Sequence, residues 1–474
     1  MPRFPERLGR WVARRYLLAS VLLSSVFAAP LAAAPEGGFR GLLVVQGEEV
    51  LLSENPGRRF TPGSVHKLVV SLAALHHLGP EHRIRTEVFR EGSLGGGRLE
   101  GNLVVQGAGD PTWAERFFPN NPRGPMVQLA DRVVAAGVQR VTGDLVMDGH
   151  RFPGRPFPAS RAYTEIAYGY GAPTSSLAVD ENVVRVEMGP GSQVGQAGHL
   201  RRLSEDRSLR LENRLQTVGR DRHGEGTVDF FPVWESDLMV ARGEYPVSEP
   251  VYRMALAHPH PERAAGETLR DIFQQRGIEF EGKVRLRNAA PTAPRVPVAH
   301  LDSPPLAEIL PVILEDSSNW HAEMLLRILA VEVVGVGRDT DGLDLLRTFL
   351  EETVRIDPDG VVLDDGSGLS PYDLLSPQAV VGLLQWAWQQ SWRPVFVEAL
   401  AAPGEGTLEV WGKLPPLAAK SGTVRHSLAL AGYLDPNHPR GPKIFAIFLN
   451  HRPEERASLR AEIVGLLHRA RRGK

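Results

Sequence analysis

Residues 60–80 read Phe60-Thr61-Pro62-Gly63-Ser64-Val65-His66-Lys67-Leu68-Val69-Val70-Ser71-Leu72-Ala73-Ala74-Leu75-His76-His77-Leu78-Gly79-Pro80. Apolar residues at Val65, Leu68, Val69, Leu72, Leu75 and Leu78 keep a helical rhythm, and Gly79-Pro80 ends it. Val70, Ala73 and Ala74 make the helix apolar nearly all round, so the spacing predicts a short helix inside a domain. Ser64 and Lys67 stand three residues apart at its first turn and share a face. A lysine amine that burial has driven towards its neutral form can take the proton of a serine hydroxyl, which makes the pair a candidate activated nucleophile. The positive end of the helix adds to that effect.

Ser-x-x-Lys alone is more simply read as a capping serine followed by a solvent-facing lysine. Lysine usage favours the chemical reading. Of 54 basic residues only Lys67, Lys283, Lys413, Lys420, Lys443 and Lys474 are lysines. A chain that otherwise uses arginine has a lysine inside an apolar helix, where a guanidinium could not release its proton.

Working outward, residues 1–15 carry five arginines, residues 16–29 are apolar, and Ala32-Ala33-Ala34 precedes Pro35. This predicts a secretory signal over residues 1–34, with an uncleaved anchor as the alternative; the apolar run is short for a span of about 20 residues. Arg14-Arg15 weakly resembles a twin-arginine export signal. The chain has no cysteine, so an exported product must be held by its core rather than by disulfides. With 42% hydrophobic residues in 474, two or three cores can form. A net charge of −2 gives no reason to expect nucleic acid as a partner, and no basic run beyond the signal marks a membrane surface. No metal-ligand spacing is present; His258 and His260 flank a proline in a turn-like stretch and are expected to be solvated.

Residues 41–52 read as a β-hairpin leading into the serine helix, and 428–434 and 444–449 read as two strands before a helix over 457–471. Helical rhythm occupies 305–334, 340–353 and 376–401. The expected class is therefore α+β: one antiparallel sheet formed from both ends of the chain, with a helical cluster beside it. Residues 86–290 differ, with glycine-rich turns, short strands at 103–105 and 141–148, a helix near 126–136 and a polar loop at 190–225. They read as a large, mostly β insertion dividing a domain of residues 35–85 and 291–474, with the helix at 264–275 and Gly277 returning the chain to it. Such an insertion either shapes the substrate site or is an accessory domain remote from it.

Two more clusters stand where the serine-lysine reading needs them. Ser317-Ser318-Asn319 lies between helical stretches and fits a helix cap; read as chemistry, Ser317 relays a proton and Asn319 offers an amide to a substrate carbonyl. Lys420-Ser421-Gly422-Thr423 lies on a strand next to a turn. It reads either as an exposed lysine before a glycine bulge, or as a strand edge that an extended substrate can join, with Lys420, Ser421 and Thr423 holding a terminal carboxylate.

In that order, Ser64-x-x-Lys67, Ser317-x-Asn319 and Lys420-Ser421-Gly422 resemble the three motifs of penicillin-binding proteins and serine β-lactamases. Gly107-Ala108-Gly109-Asp110-Pro111, Val141-Thr142-Gly143-Asp144-Leu145, Tyr170-Gly171-Ala172-Pro173, Glu181-Asn182-Val183-Val184, Ala322-Glu323-Met324-Leu325-Leu326, Asp365-Gly366-Ser367-Gly368-Leu369-Ser370 and Gly406-Thr407-Leu408 narrow it. They resemble the D-alanyl-D-alanine carboxypeptidase/endopeptidase family of DacB type, the low-molecular-mass class C penicillin-binding proteins, from about Gly41 to the C-terminus. The resemblance implies a penicillin-binding transpeptidase-like (serine β-lactamase-like) fold with its insertion between the first two motifs. It implies acyl transfer from the D-Ala-D-Ala bond of a peptidoglycan stem peptide to water, covalent inhibition by β-lactam antibiotics, no cofactor, and work in the periplasm or cell-wall space without a stable membrane partner once the signal is cleaved. Ser64 would be the acylated nucleophile, Lys67 its base, Ser317 and Asn319 the relay and substrate amide, and Lys420, Ser421, Gly422 and Thr423 the carboxylate strand. The backbone amides of Ser64 and Thr423 would form the oxyanion hole. Ser421 stands where the family usually has threonine, and His66 where a small or polar residue is more usual. A β-lactamase shares the motifs but not the insertion of roughly 200 residues, and a non-catalytic wall-binding protein would not need every chemical group present.

Overall fold

Strands from both ends of the chain lie side by side. In the computed structural model, which describes residues 38–206, 208–219, 227–233, 235–292 and 294–473, Phe39–Gln46 pairs antiparallel with Glu49–Glu54 on one side and Lys443–Asn450 on the other. Ser427–Leu434 and Leu417–Val424 follow, completing a five-stranded antiparallel sheet with Leu417–Val424 at one edge. The expected signal over residues 1–34 lies outside the described residues. Among the described residues no helix is long and apolar enough to cross a membrane.

The run Leu42-Leu43-Val44-Val45 shows why this sheet is central. Successive side chains of a strand point to opposite faces. Leu42 and Val44 pack with Leu459, Ile463, Leu466 and Leu467 of the helix Arg456–Arg472, whereas Leu43 and Val45 join the larger core on the other face. Both faces are covered, so the strand is continuously apolar rather than alternating.

The serine segment sits in the larger core. Gly63–His66 forms a 3₁₀ turn that runs into the α-helix Lys67–His77. Leu68, Val69, Val70, Leu72, Ala73, Ala74 and Leu75 are all buried, each large side chain contributing about 1.5–3 kcal/mol relative to exposure. This helix packs on Leu306–Leu314, Asn319–Val334 and Asp339–Thr348. It stops where Gly79 takes φ +80, a conformation only glycine adopts freely.

Between these parts, Arg85–Gly95 and Arg98–Gln106 form a hairpin in a seven-stranded sheet, whose other edge partner for Arg85–Gly95 is Val296–Asp302. Helices Gly124–Ala135 and Pro261–Gln275 cover it through Leu129, Val133, Leu269, Ile272 and Phe273. Two three-stranded sheets share a further core around Val184, Leu215, Phe230, Met239 and Leu256.

Four expectations need correction. The chain leaves the inserted sheet after Asp302, not at residue 290, because Val296–Asp302 pairs with Arg85–Gly95. The helix Pro261–Gln275 does not return the chain to the parent core; its apolar face belongs to the inserted one. The polar stretch 190–225 carries the strands His199–Arg202 and Arg210–Val218, in which only alternate residues such as Leu215 and Thr217 are buried. His258 is not solvated: it is 3% exposed, Ser208 lies 2.8 Å from its Nε2, and its Nδ1 accepts from the His260 backbone N–H. With Nδ1 an acceptor, Nε2–H donates to Ser208, so this serine-histidine contact ties loops together and is no nucleophile-base pair.

Candidate active site

In a 3₁₀ turn residues i and i+3 eclipse, so Ser64 stands over Lys67, and the Lys67 Nζ donates to Ser64 Oγ at 2.8 Å. The same amine donates to Asn319 Oδ1 at 2.7 Å and to the Ser367 carbonyl at 2.7 Å. Three partners fix its direction: the free amine keeps its two N–H groups for Asn319 and Ser367 and turns its lone pair to the Ser64 hydroxyl. Lys67 is fully buried, and burial lowers its pKa from 10.5 to about 7, against the opposing pull of Asp365 and Glu323. Near neutral pH a large share of this amine is therefore free base.

Ser318, rather than Ser317 or Asn319, caps the helix Asn319–Val334: its hydroxyl accepts from the His321 N–H. That frees Asn319 to turn its side chain to Lys67. Ser317 precedes the cap at φ +66. The structure thus unites Ser64, Lys67 and Asn319 by direct contact, and Ser317 lies two residues before Asn319 in the segment that leads to it.

Lys420-Ser421-Gly422-Thr423 lies on the edge strand Leu417–Val424, which packs against the serine turn. A Cβ on Gly422 would lie 2.1 Å from the Pro62 carbonyl oxygen, and one on Gly63 2.8 Å from the Thr423 nitrogen. Glycine at both positions is what lets the two backbones meet. Lys420 is not the exposed lysine of the simpler reading; it is fully buried, and burial, then Lys67, hold its pKa well below the ordinary value. Ser421 Oγ donates to Thr407 Oγ1 at 2.8 Å, which gives the Gly406-Thr407-Leu408 fragment a place beside the strand.

The sequence alone gives no role to the 364–373 loop or to His66. His66 is buried, and its Nε2 lies 2.7 Å from the Asp365 carbonyl, to which it donates; burial keeps the imidazole neutral at pH 7. Gly368, at φ +75, lies so near the serine turn that a Cβ would approach the Gly63 carbonyl oxygen to 2.0 Å. Among the described residues, His66, Asp365 and Asp373 bring ligand-type atoms within 4.8 Å of one another. Asp365 there spends both oxygens on Ser367, Gly368 and Ser370, while His66 Nδ1 and Asp373 Oδ2 are buried without a hydrogen-bond partner among the described residues.

The inserted segment reaches this region. Arg116 pairs with Asp316 at 2.7 Å and with Glu181 at 2.8 Å, and Trp320 Nε1 donates to the Pro173 carbonyl at 2.9 Å. A cleft of about 840 Å³ bordered by Arg123, Arg185 and Arg253 includes none of the motif residues.

An antiparallel sheet backed by a helical cluster, opened after its serine turn by a large insertion, defines the class of penicillin-binding transpeptidase-like enzymes. Within that class the chain belongs to the D-Ala-D-Ala carboxypeptidase 3 (S13) family, which matches residues 28–470. A D-alanyl-D-alanine carboxypeptidase from an Actinomadura species is 29% identical over 437 residues, covering 88% of this chain and 78% of that protein. The crystal structure of penicillin binding protein 4 (dacB) from Haemophilus influenzae superposes with a TM-score of 0.81 at 21% identity, over 92% of this chain and 96% of that one. The same protein complexed with a β-lactam gives 0.75 at 22% identity, with the same coverage.

Proposed function

We propose that this member of the D-Ala-D-Ala carboxypeptidase family cleaves the D-Ala-D-Ala bond of peptidoglycan stem peptides through an acyl-enzyme on Ser64. The observation that carries the assignment is the 2.8 Å contact from a fully buried Lys67 amine to the Ser64 hydroxyl. Neutral Lys67 takes the hydroxyl proton as Ser64 Oγ attacks the carbonyl carbon. The oxyanion forms against the backbone amides of Ser64 and Thr423. The C–N bond breaks, the proton passes through the Ser317 hydroxyl to the departing amine, and D-alanine leaves. Water then repeats the attack on the ester, with Lys67 as base, and restores Ser64.

Asn319, with its carbonyl oxygen turned to Lys67, keeps its NH₂ for the substrate carbonyl. Lys420 is buried, its pKa lowered by burial and Lys67 against the pull of Asp316; a substrate carboxylate arriving beside Ser421, Gly422 and Thr423 would raise it and fix the terminal residue. Ser421 keeps the hydroxyl of the usual threonine. Penicillins, which carry a carboxylate and a strained amide, acylate Ser64 by the same route. We read the inserted segment as an accessory domain that braces the Ser317 loop through Arg116 and Pro173, and residues 1–34 as the export signal that delivers the enzyme to the periplasm or cell-wall space.

The test is D-alanine release from a synthetic pentapeptide stem across pH. Only neutral Lys67 serves as base, so the acylation rate should rise about tenfold per pH unit on the acid side and level off above pH 7 or so. A rate flat from pH 5 to 9 would remove Lys67 from that role.

A further inference from the structure

Behind the reacting groups lies a buried polar network that no step above uses. Asp365, 2% exposed, accepts from the Gly368 N–H at 2.6 Å, from the Ser367 and Ser370 N–H groups at 2.9 Å each, and from the Ser367 hydroxyl at 3.0 Å. Four donors on one carboxylate close the 365–370 loop around it. The loop is held from outside as well: Glu323 Oε2 accepts from the Gly366 N–H at 3.1 Å, Arg161 of the inserted segment lies 3.3 Å from Glu323, and His66 donates to the Asp365 carbonyl. Asp373 Oδ1 accepts from the Asp364 N–H at 2.7 Å. Its buried Oδ2 has no donor facing it, which fits a carboxyl that carries the proton itself and gives it to Asp365. What this loop presents to the reaction is one atom, the Ser367 carbonyl oxygen, 2.7 Å from Lys67 Nζ.

We propose that Asp365 is a positioning residue for the reaction: by closing the 365–370 loop it sets the Ser367 carbonyl that aims the Lys67 amine at Ser64. This rests on Ser64 and Lys67 being the nucleophile and base. A lysine side chain has four rotatable bonds, and three fixed partners around its amine reduce them to one geometry; Ser64 and Asn319 supply two, and the third depends wholly on the loop. The loop also sits against the serine turn itself, through Gly368 on Gly63.

The same network sets the charge that Lys67 sees. Its amine is faced by Asp365 and Asp373 from the loop, Glu323 from the helix Asn319–Val334, Arg161 from the inserted segment, Lys420 from the edge strand and His66 from its own turn. Burial and Asp365 together hold the Asp373 carboxyl well above the usual range, so it is neutral. Burial alone would raise Asp365 too, but hydrogen bonds led by that from Asp373 bring it down to about 2, so it is the anion. Burial, then Asp365, raise Glu323 to about 7. Asp365 is thus the negative charge beside Lys67 that persists across the working pH range, and it raises the lysine pKa.

Two variants test this, with penicillin acylation of the full chain followed against pH and thermal melting measured in parallel. Asp365→Asn loses acceptors and charge together, so the plateau rate should fall about 100-fold and the acid limb should move to lower pH. Ser367→Ala removes one hydroxyl that braces the loop and leaves the charge, so the plateau should fall roughly five- to tenfold with the limb unmoved. If Asp365→Asn does not fold, Ser367→Ala decides alone. Wild-type plateau and limb in the folded variants, with the adduct on Ser64, would overturn the positioning role and leave the nucleophile intact. An adduct on another residue in the wild-type enzyme would overturn the reading on which it rests.

Discussion

Lys67→Arg should remove penicillin acylation almost entirely, by about 10²–10⁴-fold, equivalent to roughly 3–5 kcal/mol of barrier. Arginine keeps the positive charge but cannot give up its proton near neutral pH, so no base remains beside Ser64. The position leaves little room for compensation. The amine it replaces is fully buried and has partners within 2.8 Å in three directions. The larger guanidinium must be fitted into a packed core, at a cost of about 1–3 kcal/mol. A lower melting temperature is therefore expected as well, and acylation must be expressed per folded molecule. A folded Lys67→Arg enzyme that acylates at the normal rate would leave Lys67 a structural cation.

Gly422→Ala should be nearly as damaging while leaving every chemical group in place. The added methyl would lie 2.1 Å from the Pro62 carbonyl oxygen and 3.1 Å from the Val65 nitrogen, both backbone atoms that no side-chain rotation can move aside. The edge strand must retreat from the serine turn, carrying the Thr423 amide away from the Ser64 amide. Displacement of catalytic groups by about 1 Å can cost 10²-fold in rate, and the acylation rate should fall by at least that factor. The sheet keeps its pairing from Leu417–Val424 to Ser427–Leu434, so melting should fall far less than activity does. Equal activity with alanine would mean that the strand does not take part in the reaction.

What the sequence disclosed follows from what periodicity records. The serine helix, the hairpin at 39–54 and the strands at 427–434 and 443–450 are long apolar patterns bounded by glycine or proline, and they form where expected. The contact of Ser64 and Lys67 with Asn319, and the packing of the Lys420 strand on the serine turn, were legible because the three motifs are marked by side chains. The Ser367 contribution is not: it comes from a backbone carbonyl, which any residue type supplies, and only the Asp-Gly-Ser-Gly fragment hinted that the loop is special. His66 was opaque for a related reason, since its partner is the carbonyl of Asp365, 299 positions away. The boundary of the insertion was misread because Val296–Asp302 is a partly exposed edge strand with little apolar pattern. The helix Pro261–Gln275 has the right periodicity, but periodicity does not say which core a helix covers. The proline beside His258 suggests a solvated turn, whereas its burial arises from loops far apart in sequence.

Ser64 is the residue expected to carry the acyl group. The enzyme should be mixed with benzylpenicillin at pH 8, quenched in acid, digested, and the modified peptide sequenced by mass spectrometry, with Ser64→Ala alongside. The account predicts one adduct, on the peptide that contains Ser64, and none in the folded alanine variant. An adduct on any other residue, or an unchanged adduct in Ser64→Ala, would contradict it.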